Sequence, residues 1–420
     1  MEDLLLLVHR IPYPPNKGDK IRSWHLLRHL AARYRVHLAT FVDDADDWQY
    51  VPHVRQLCAS SHFAPLNPRR ARLRSLRAVL ANRALSLDYY SDRSMRGWVR
   101  RTMGGAAIER VVVFSSPMAQ YAQGWPGARR IVDLCDVDSE KWRAYAEKKP
   151  WPASLLYGYE ASRLLRYERK VAADSDAALF VSAPEAELFR ALAPESAERI
   201  GWFGNGVDTA FFSPDGDYAN PFAPGKPALV FCGAMDYWPN VDAVQWFARD
   251  VFPAVRARVP QASFVIVGAR PAPEVQQLAQ LPGVTVTGTV PDVRPYVAHA
   301  ALSVAPLRVA RGIQNKVLEA MAMAKTVVVS PQALEGIDAA AGSEVLLAER
   351  DTDMAATILA ALADEPSRAA IGRAARLRVE ASYGWDARLA ALDALLEAPR
   401  QPGGAPAIPA GIPSPSWNRA

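Results

Sequence analysis

The sequence predicts an α/β protein made of two doubly wound, parallel-sheet units, and three observations carry that prediction. Short runs rich in Val, Ile and Leu alternate with longer amphipathic stretches along the chain, which is the grammar of β-α units around parallel sheets. The 420 residues, 50% of them hydrophobic, can bury two cores and exceed one typical domain. Between the patterned regions, Asn220-Pro221-Phe222-Ala223-Pro224-Gly225-Lys226-Pro227 is dense in Pro and Gly and reads as a linker that opens a second unit.

In chain order, the first half offers strands at 4–8, 36–41, 111–114, 131–133 and 178–181, separated by loops rich in Pro, Asn, Gly and Asp. The second half offers six more, at 229–232, 264–267, 284–287, 302–305, 327–329 and 345–347, the full count of a doubly wound sheet. The expected organisation is an N-terminal unit over 1–205 and a C-terminal unit over 206–384. A helix at about 385–398 is expected to pack back on the first unit, and the Pro- and Gly-rich stretch 400–420 reads as a disordered tail.

Met1-Glu2-Asp3 followed by Leu4-Leu5-Leu6-Leu7-Val8 has no basic leader and is too short to span a bilayer, so it reads as a first buried strand. Cys58, Cys135 and Cys232 lie far apart with no C-x-x-C pair, which argues against a disulfide framework or structural zinc and fits a reducing cytoplasm. The net charge of +5 is concentrated in Arg69, Arg70, Arg72, Arg74, Arg77 and Arg83, a stretch without an acid. Leu73, Leu76 and Leu80 fall at helical spacing beside these arginines, a pattern suited to an anionic membrane surface and equally to a solvated helix face. Nucleic acid is not an expected partner, because no zinc finger, RRM signature or aromatic-interleaved basic strand is present.

Ligands of open parallel sheets bind beyond the carboxyl ends of the strands, so the loops after strands hold the candidate chemistry. After 4–8 comes His9-Arg10-Ile11-Pro12-Tyr13-Pro14-Pro15-Asn16-Lys17-Gly18-Asp19-Lys20-Ile21-Arg22 and then an amphipathic helix over 24–32. Gly18 permits close backbone approach, Asp19 can cap the helix, and Lys17, Lys20 and Arg22 read as mobile positive charge for an anion; a plain capped loop with surface lysines is the alternative.

After 302–305, the segment from Pro306 through Arg308, Arg311 and Gly312 leads into Gln314-Asn315-Lys316-Val317-Leu318-Glu319-Ala320-Met321-Ala322. On a helix opening just after Gly312, Val317, Leu318, Met321 and Ala322 form a buried face while Asn315, Lys316 and Glu319 project from the other. Free N–H groups and Lys316 suit a diphosphate, and Glu319 one turn deeper can accept both ribose hydroxyls. An exposed i,i+3 ion pair fits the same pattern. After 229–232, Gly233 could admit a phosphate or sugar, and Tyr237 and Trp238 could stack or simply pack. Asp136 and Asp138, after 131–133, could orient an acceptor hydroxyl or cap the helix of Ser139.

Five stretches together resemble family 4 glycosyltransferases, the retaining GT-B enzymes of two Rossmann-like domains facing across a cleft. They are Pro14-Pro-Asn-Lys-Gly-Asp-Lys-Ile-Arg22, Asp133-Leu-Cys-Asp-Val-Asp-Ser139, Asn205-Gly-Val-Asp208 with Phe212, Gly233-Ala-Met-Asp-Tyr-Trp-Pro-Asn240 and Val317-Leu-Glu-Ala-Met-Ala322. More narrowly the chain is similar to sugar transferases of exosortase-associated exopolysaccharide loci.

The resemblance implies a UDP- or GDP-linked sugar donor held by the C-terminal half and a glycan or lipid-linked acceptor held by the N-terminal half, with no metal and no further cofactor. It implies a ribose role for Glu319. The first glutamate of the family's E-x7-E pattern is Arg311 here, so its sugar-contacting role passes to no residue, and Lys316, with Arg308 or Arg311, is left to supply charge to the diphosphate. In the front-face route proposed for such enzymes the leaving phosphate takes the acceptor proton, so no protein nucleophile is implied.

Four other readings meet less support. Asp44-Ala45-Asp46 formally matches the Asp-x-Asp of metal-dependent transferases and reads as an exposed acidic loop. A nucleotide-sugar epimerase would need an acid/base pair around the sugar, which the sequence does not offer. A catalytically silent scaffold subunit is favoured only by Arg311 in place of glutamate, and dehydrogenase chemistry lacks its G-x-G-x-x-G.

Overall fold

The computed structural model describes residues 1–15, 18–125, 127–148, 150–310 and 313–398. The expectations placed on Lys17, Arg311, Gly312 and the 400–420 tail lie outside these residues. The chain divides into two compact units, Met1–Asn205 joined by residues 388–398, and Gly206–Ala387.

The first unit holds β1 (Asp3–Val8), β2 (Arg35–Val42), β3 (Ser60–Pro65), β4 (Arg110–Phe114), β5 (Arg129–Cys135), β6 (Ala177–Phe180) and β7 (Ile200–Trp202). All are parallel, in the order β3-β2-β1-β4-β5-β6-β7. Helices cover both faces of such a sheet, so its central strands must be apolar on both sides; Leu4 to Val8 are accordingly all buried. The winding reverses between β1 and β4, and His9 and Ser115 follow those two strands directly. From Arg388 the helix Trp385–Glu397 is tied to this unit: His29 Nε2 meets Asp393 at 2.8 Å and Arg129 donates to the Leu395 carbonyl at 2.7 Å.

The second unit holds β8 (Ala228–Cys232), β9 (Ser263–Val267), β10 (Val284–Gly288), β11 (Leu302–Ala305), β12 (Val327–Val329) and β13 (Leu346–Leu347), again parallel, in the order β10-β9-β8-β11-β12-β13. Its reversal lies between β8 and β11. Phe247, Phe252 and Phe264 pack ring to ring behind the sheet, and Val317, Leu318 and Met321 close the core from the helix Asn315–Ala322.

β3 and β7 carry no clear strand signal in the sequence, and both are edges of the first sheet. An edge strand is covered less completely than a central one. Ser-Ser-His-Phe-Ala-Pro accordingly lacks the continuous Val/Ile/Leu run that marks a doubly buried strand.

Candidate functional site

The strongest cluster stands at the reversal of the second sheet. The helix Asn315–Ala322 follows β11, and its N-cap, Gln314, places no side-chain oxygen on the first-turn N–H groups. Asn315 is exposed at this uncapped end, where the helix dipole favours an anion. Lys316 leans across to the loop after β8 and donates to Asn240 Oδ1 at 2.9 Å, with Gln314 Oε1 at 3.4 Å. The buried Asn240 amide is itself fixed, since its nitrogen donates to the Ala234 carbonyl at 2.9 Å.

Gly233 is required at this crossing: a Cβ there would stand 2.7 Å from Asn240 Nδ2 and 3.4 Å from Lys316 Cε. Gly268 is required for the same loop, because its Cβ would fall 1.6 Å from the Gly233 carbonyl oxygen. Two glycines therefore let the loops after β8 and β9 close on the lysine.

Glu319 lies one turn below Lys316, half-buried in a small pocket that both side chains line with Cys232 and Ser303. Among the described residues no hydrogen bond reaches its carboxylate. Burial pushes the Glu319 carboxyl up to about 7, only partly offset by the charge of Lys316. Burial likewise pushes the Lys316 ammonium down to about 8, against the opposing pull of Glu319. A carboxylate without donors beside a partly desolvated ammonium can accept two hydroxyls while the ammonium meets a phosphate.

The other expected donor groups are placed differently. Arg308 is held by Asp242, with Nε to Oδ2 at 3.0 Å. Tyr237 and Trp238 are exposed at the start of the helix Trp238–Trp246, so neither is a core residue.

In the first unit the expectation of mobile positive charge after β1 is corrected. Lys20 is buried and bound to Asp47 at 2.6 Å. Arg22 is buried too, with Nε and Nη2 on the Asp133 carboxylate at 2.7 and 3.2 Å, Nη1 on the Phe203 carbonyl and Asn205 Oδ1, and its guanidinium 3.7 Å from the Phe203 ring centroid. Both point into the protein because the helix Gly18–Ala31 begins earlier than expected and turns them toward the sheet.

The same early start overturns Asp19 as the cap. It lies inside the first turn and accepts instead from Arg10 at 2.7 Å, with His9 Nε2 at 3.3 Å. Burial raises the Asp19 carboxyl, but the His9 hydrogen bond and the Arg10 charge outweigh it and hold the group well below the usual carboxylate range. Gly18 opens that helix with free space around it. Asp136 and Asp138 both grip Lys141, at 2.5 and 3.1 Å, and Ser139 is held by Glu168 at 2.6 Å. Asp44 caps the short helix Ala45–Tyr50 by accepting from Asp46 N at 3.1 Å.

Sequence reasoning did not single out Asn240, the residue that fixes Lys316. Its signal was present: it is a polar residue on the face of an amphipathic helix that otherwise buries Ala243, Val244 and Phe247.

Residues 226–364 match the family model described as Glycosyl transferases group 1. That segment contains Gly233, Asn240, Lys316 and Glu319. The chain is an enzyme of glycosyltransferase type. Its fold is GT-B, as similar solved structures show. Sucrose-phosphate synthase from Thermosynechococcus elongatus aligns over 94% of this chain and 98% of its own at 16% identity and TM-score 0.59. HepE of Anabaena, in complex with UDP, aligns over 95% and 100% at 13% identity and TM-score 0.58. WaaG, a glycosyltransferase of lipopolysaccharide biosynthesis, aligns over 94% and 100% at 16% identity and TM-score 0.58. No curated protein sequence matches the chain.

Proposed function

We propose that this glycosyltransferase moves a sugar from a UDP- or GDP-linked donor to a glycan or lipid-linked acceptor, with retention of configuration, in exopolysaccharide biosynthesis. The observation that carries the donor assignment is the Lys316–Asn240 contact beside the Glu319 carboxylate, which no hydrogen bond reaches among the described residues, at the reversal of the sheet that matches the sugar-transferase family. Glu319 accepts the ribose hydroxyls. The first-turn N–H groups at Asn315 receive the diphosphate, with Gly312 and Arg311 assigned there on sequence alone.

As the bond from the anomeric carbon to the diphosphate breaks, negative charge grows on the leaving β-phosphate. Lys316, held in place by Asn240 before reaction, stabilises that charge without reorganisation and without a resident metal or cofactor. The UDP of the HepE structure and the lipopolysaccharide role of WaaG support a nucleotide-linked donor and a cell-surface glycan acceptor. Asp136 and Asp138, at the carboxyl end of β5, remain the proposed acceptor contacts.

We place the enzyme in the cytoplasm, peripheral on the inner membrane through the Arg69–Arg83 segment. No described helix is long and apolar enough to cross a membrane.

Calorimetry with UDP, GDP, ADP and common nucleotide-sugars, EDTA present throughout, tests the donor site. One nucleotide should bind wild type and lose affinity in Glu319→Ala. Binding without sugar transfer to any acceptor would turn the assignment toward a scaffold subunit, and binding to none would sink it.

A further inference from the structure

The first unit leaves an apolar and cationic face in solvent, and two separate stretches build it. The helices Pro68–Ser75 and Arg77–Leu80 bury Ala71, Ser75 and Ala78 while exposing Leu73 (72%) and Leu80 (93%), with Leu76 and Val79 beside them. The arginines of this segment divide into two groups. Arg74 turns inward to the Asp88 and Tyr89 carbonyls, and Arg83 pairs with Asp88. Arg69, Arg70, Arg72 and Arg77 are exposed and make no ion pair among the described residues.

The second stretch is the start of the helix Ala153–Ala173, where Trp151 (77%), Leu155 (66%) and Leu156 stand in solvent. The two stretches touch. Tyr159 Oη donates toward the Ala78 and Val79 carbonyls at 3.4 Å, and Arg163 Nε donates to Asn82 at 2.6 Å. Leu155, Tyr159 and Arg163 are four residues apart and form one stripe, so Leu155 lies about 6 Å along the helix from the Tyr159 contact, on the side away from Arg163. Trp151 precedes that stripe by a further four residues.

Soluble proteins seldom expose so much apolar surface in one place without a partner. The chain from residue 66 to 87 contains no acid, so the partner must carry the negative charge. Guanidinium groups bind phosphate oxygens bidentately, tryptophan favours the membrane–water boundary, and leucines on a short helix can enter it.

We propose that this composite face docks on an anionic lipid bilayer, with Trp151 and Leu155 entering the headgroup–acyl boundary and Arg69, Arg70, Arg72 and Arg77 pairing with lipid phosphates. The proposal rests on the reading of the protein as a membrane-peripheral enzyme and adds a contact, at Trp151 and Leu155, that lies outside the arginine run.

Co-sedimentation of the full chain with vesicles of phosphatidylcholine, alone or mixed with phosphatidylglycerol, tests it. Wild type should bind the anionic vesicles selectively. Trp151→Ser/Leu155→Ser should weaken that binding about tenfold while keeping the preference for anionic lipid. Arg70→Gln/Arg77→Gln should weaken it about fivefold for each arginine and flatten the dependence on phosphatidylglycerol.

Unchanged vesicle binding by the Trp151/Leu155 variant would overturn the proposal, as would lipid-free self-association that the same variant abolishes, since a second copy would then be the occupant. If that variant unfolds, brominated phosphatidylglycerol should quench wild-type tryptophan emission more than that of Trp151→Phe, and equal quenching would overturn the proposal. Nucleotide calorimetry on the same samples separates the two readings: a failed donor site leaves the vesicle result standing, and a failed bilayer contact leaves nucleotide binding intact.

Discussion

Two buried clusters of the same residue types behave as opposites. In the first unit Lys20 is matched to Asp47, and Arg22 is matched to Asp133, Phe203 and Asn205, so both buried cations meet a carboxylate. In the second unit, among the described residues, Lys316 donates hydrogen bonds to the neutral oxygens of Asn240 and Gln314 and makes no ion pair within 4 Å, and the Glu319 carboxylate receives no hydrogen bond. Burial without full pairing is costly, so the complete pairing of Lys20 and Arg22 suits groups that hold the fold, and the incomplete pairing of Lys316 and Glu319 suits groups that receive a ligand.

The comparison breaks most visibly if Arg22 is removed. Arg22→Ala strands the Asp133 carboxylate in the core and should cost about 3–5 kcal/mol, read as a large loss of melting temperature. A mild effect would mean that Asp133 finds water or another donor.

Lys316→Ala should do the reverse. It should leave the melting temperature unchanged or higher and lower kcat by about 100-fold or more, with a smaller change in donor KM, since the ammonium acts on charge that grows during reaction. An equal rise in KM at constant kcat would show that it serves ground-state binding instead.

The pH dependence sharpens the contrast. The folded protein keeps the Glu319 proton up to about 7 whereas the unfolded chain loses it near 4.5, so this group lowers stability as pH rises through that window. Lys316 in the folded protein gives up its proton near 8 rather than 10.5, so it raises stability as pH climbs between those values. Glu319→Gln should therefore melt a few degrees higher than wild type near neutral pH and remove the first of these slopes. Nucleotide-sugar affinity should peak between about 7 and 8, where carboxylate and ammonium coexist, and Glu319→Gln should lose the acidic limb of that profile. A nucleotide-sugar is the right probe because its diphosphate, unlike free UDP, does not titrate in this range.

The smallest effect belongs to the surface. Asp236 and Arg270 pair in full solvent, so Asp236→Asn should leave melting temperature and nucleotide affinity as they are.

The parallel α/β plan was legible in the sequence, because strands buried on both faces must be apolar along their whole length. All the expected strands formed, with ends shifted by a residue or two, and only the edge strands β3 and β7 passed unnoticed. The placement of Lys316 and Glu319 on one helix was legible for the same reason: a period of 3.6 fixes which residues share a face.

What the sequence could not decide was which side chains meet across the fold. Asn240 reaches Lys316 over 76 residues and Asp133 reaches Arg22 over 111. Lys20 and Arg22 read as mobile positive charge until the fold supplied their partners, Asp47 and Asp133. Local periodicity determines elements and faces, whereas the pairing of a buried charge depends on loops and crossovers that bring distant strand ends together, and that was settled only by the tertiary structure.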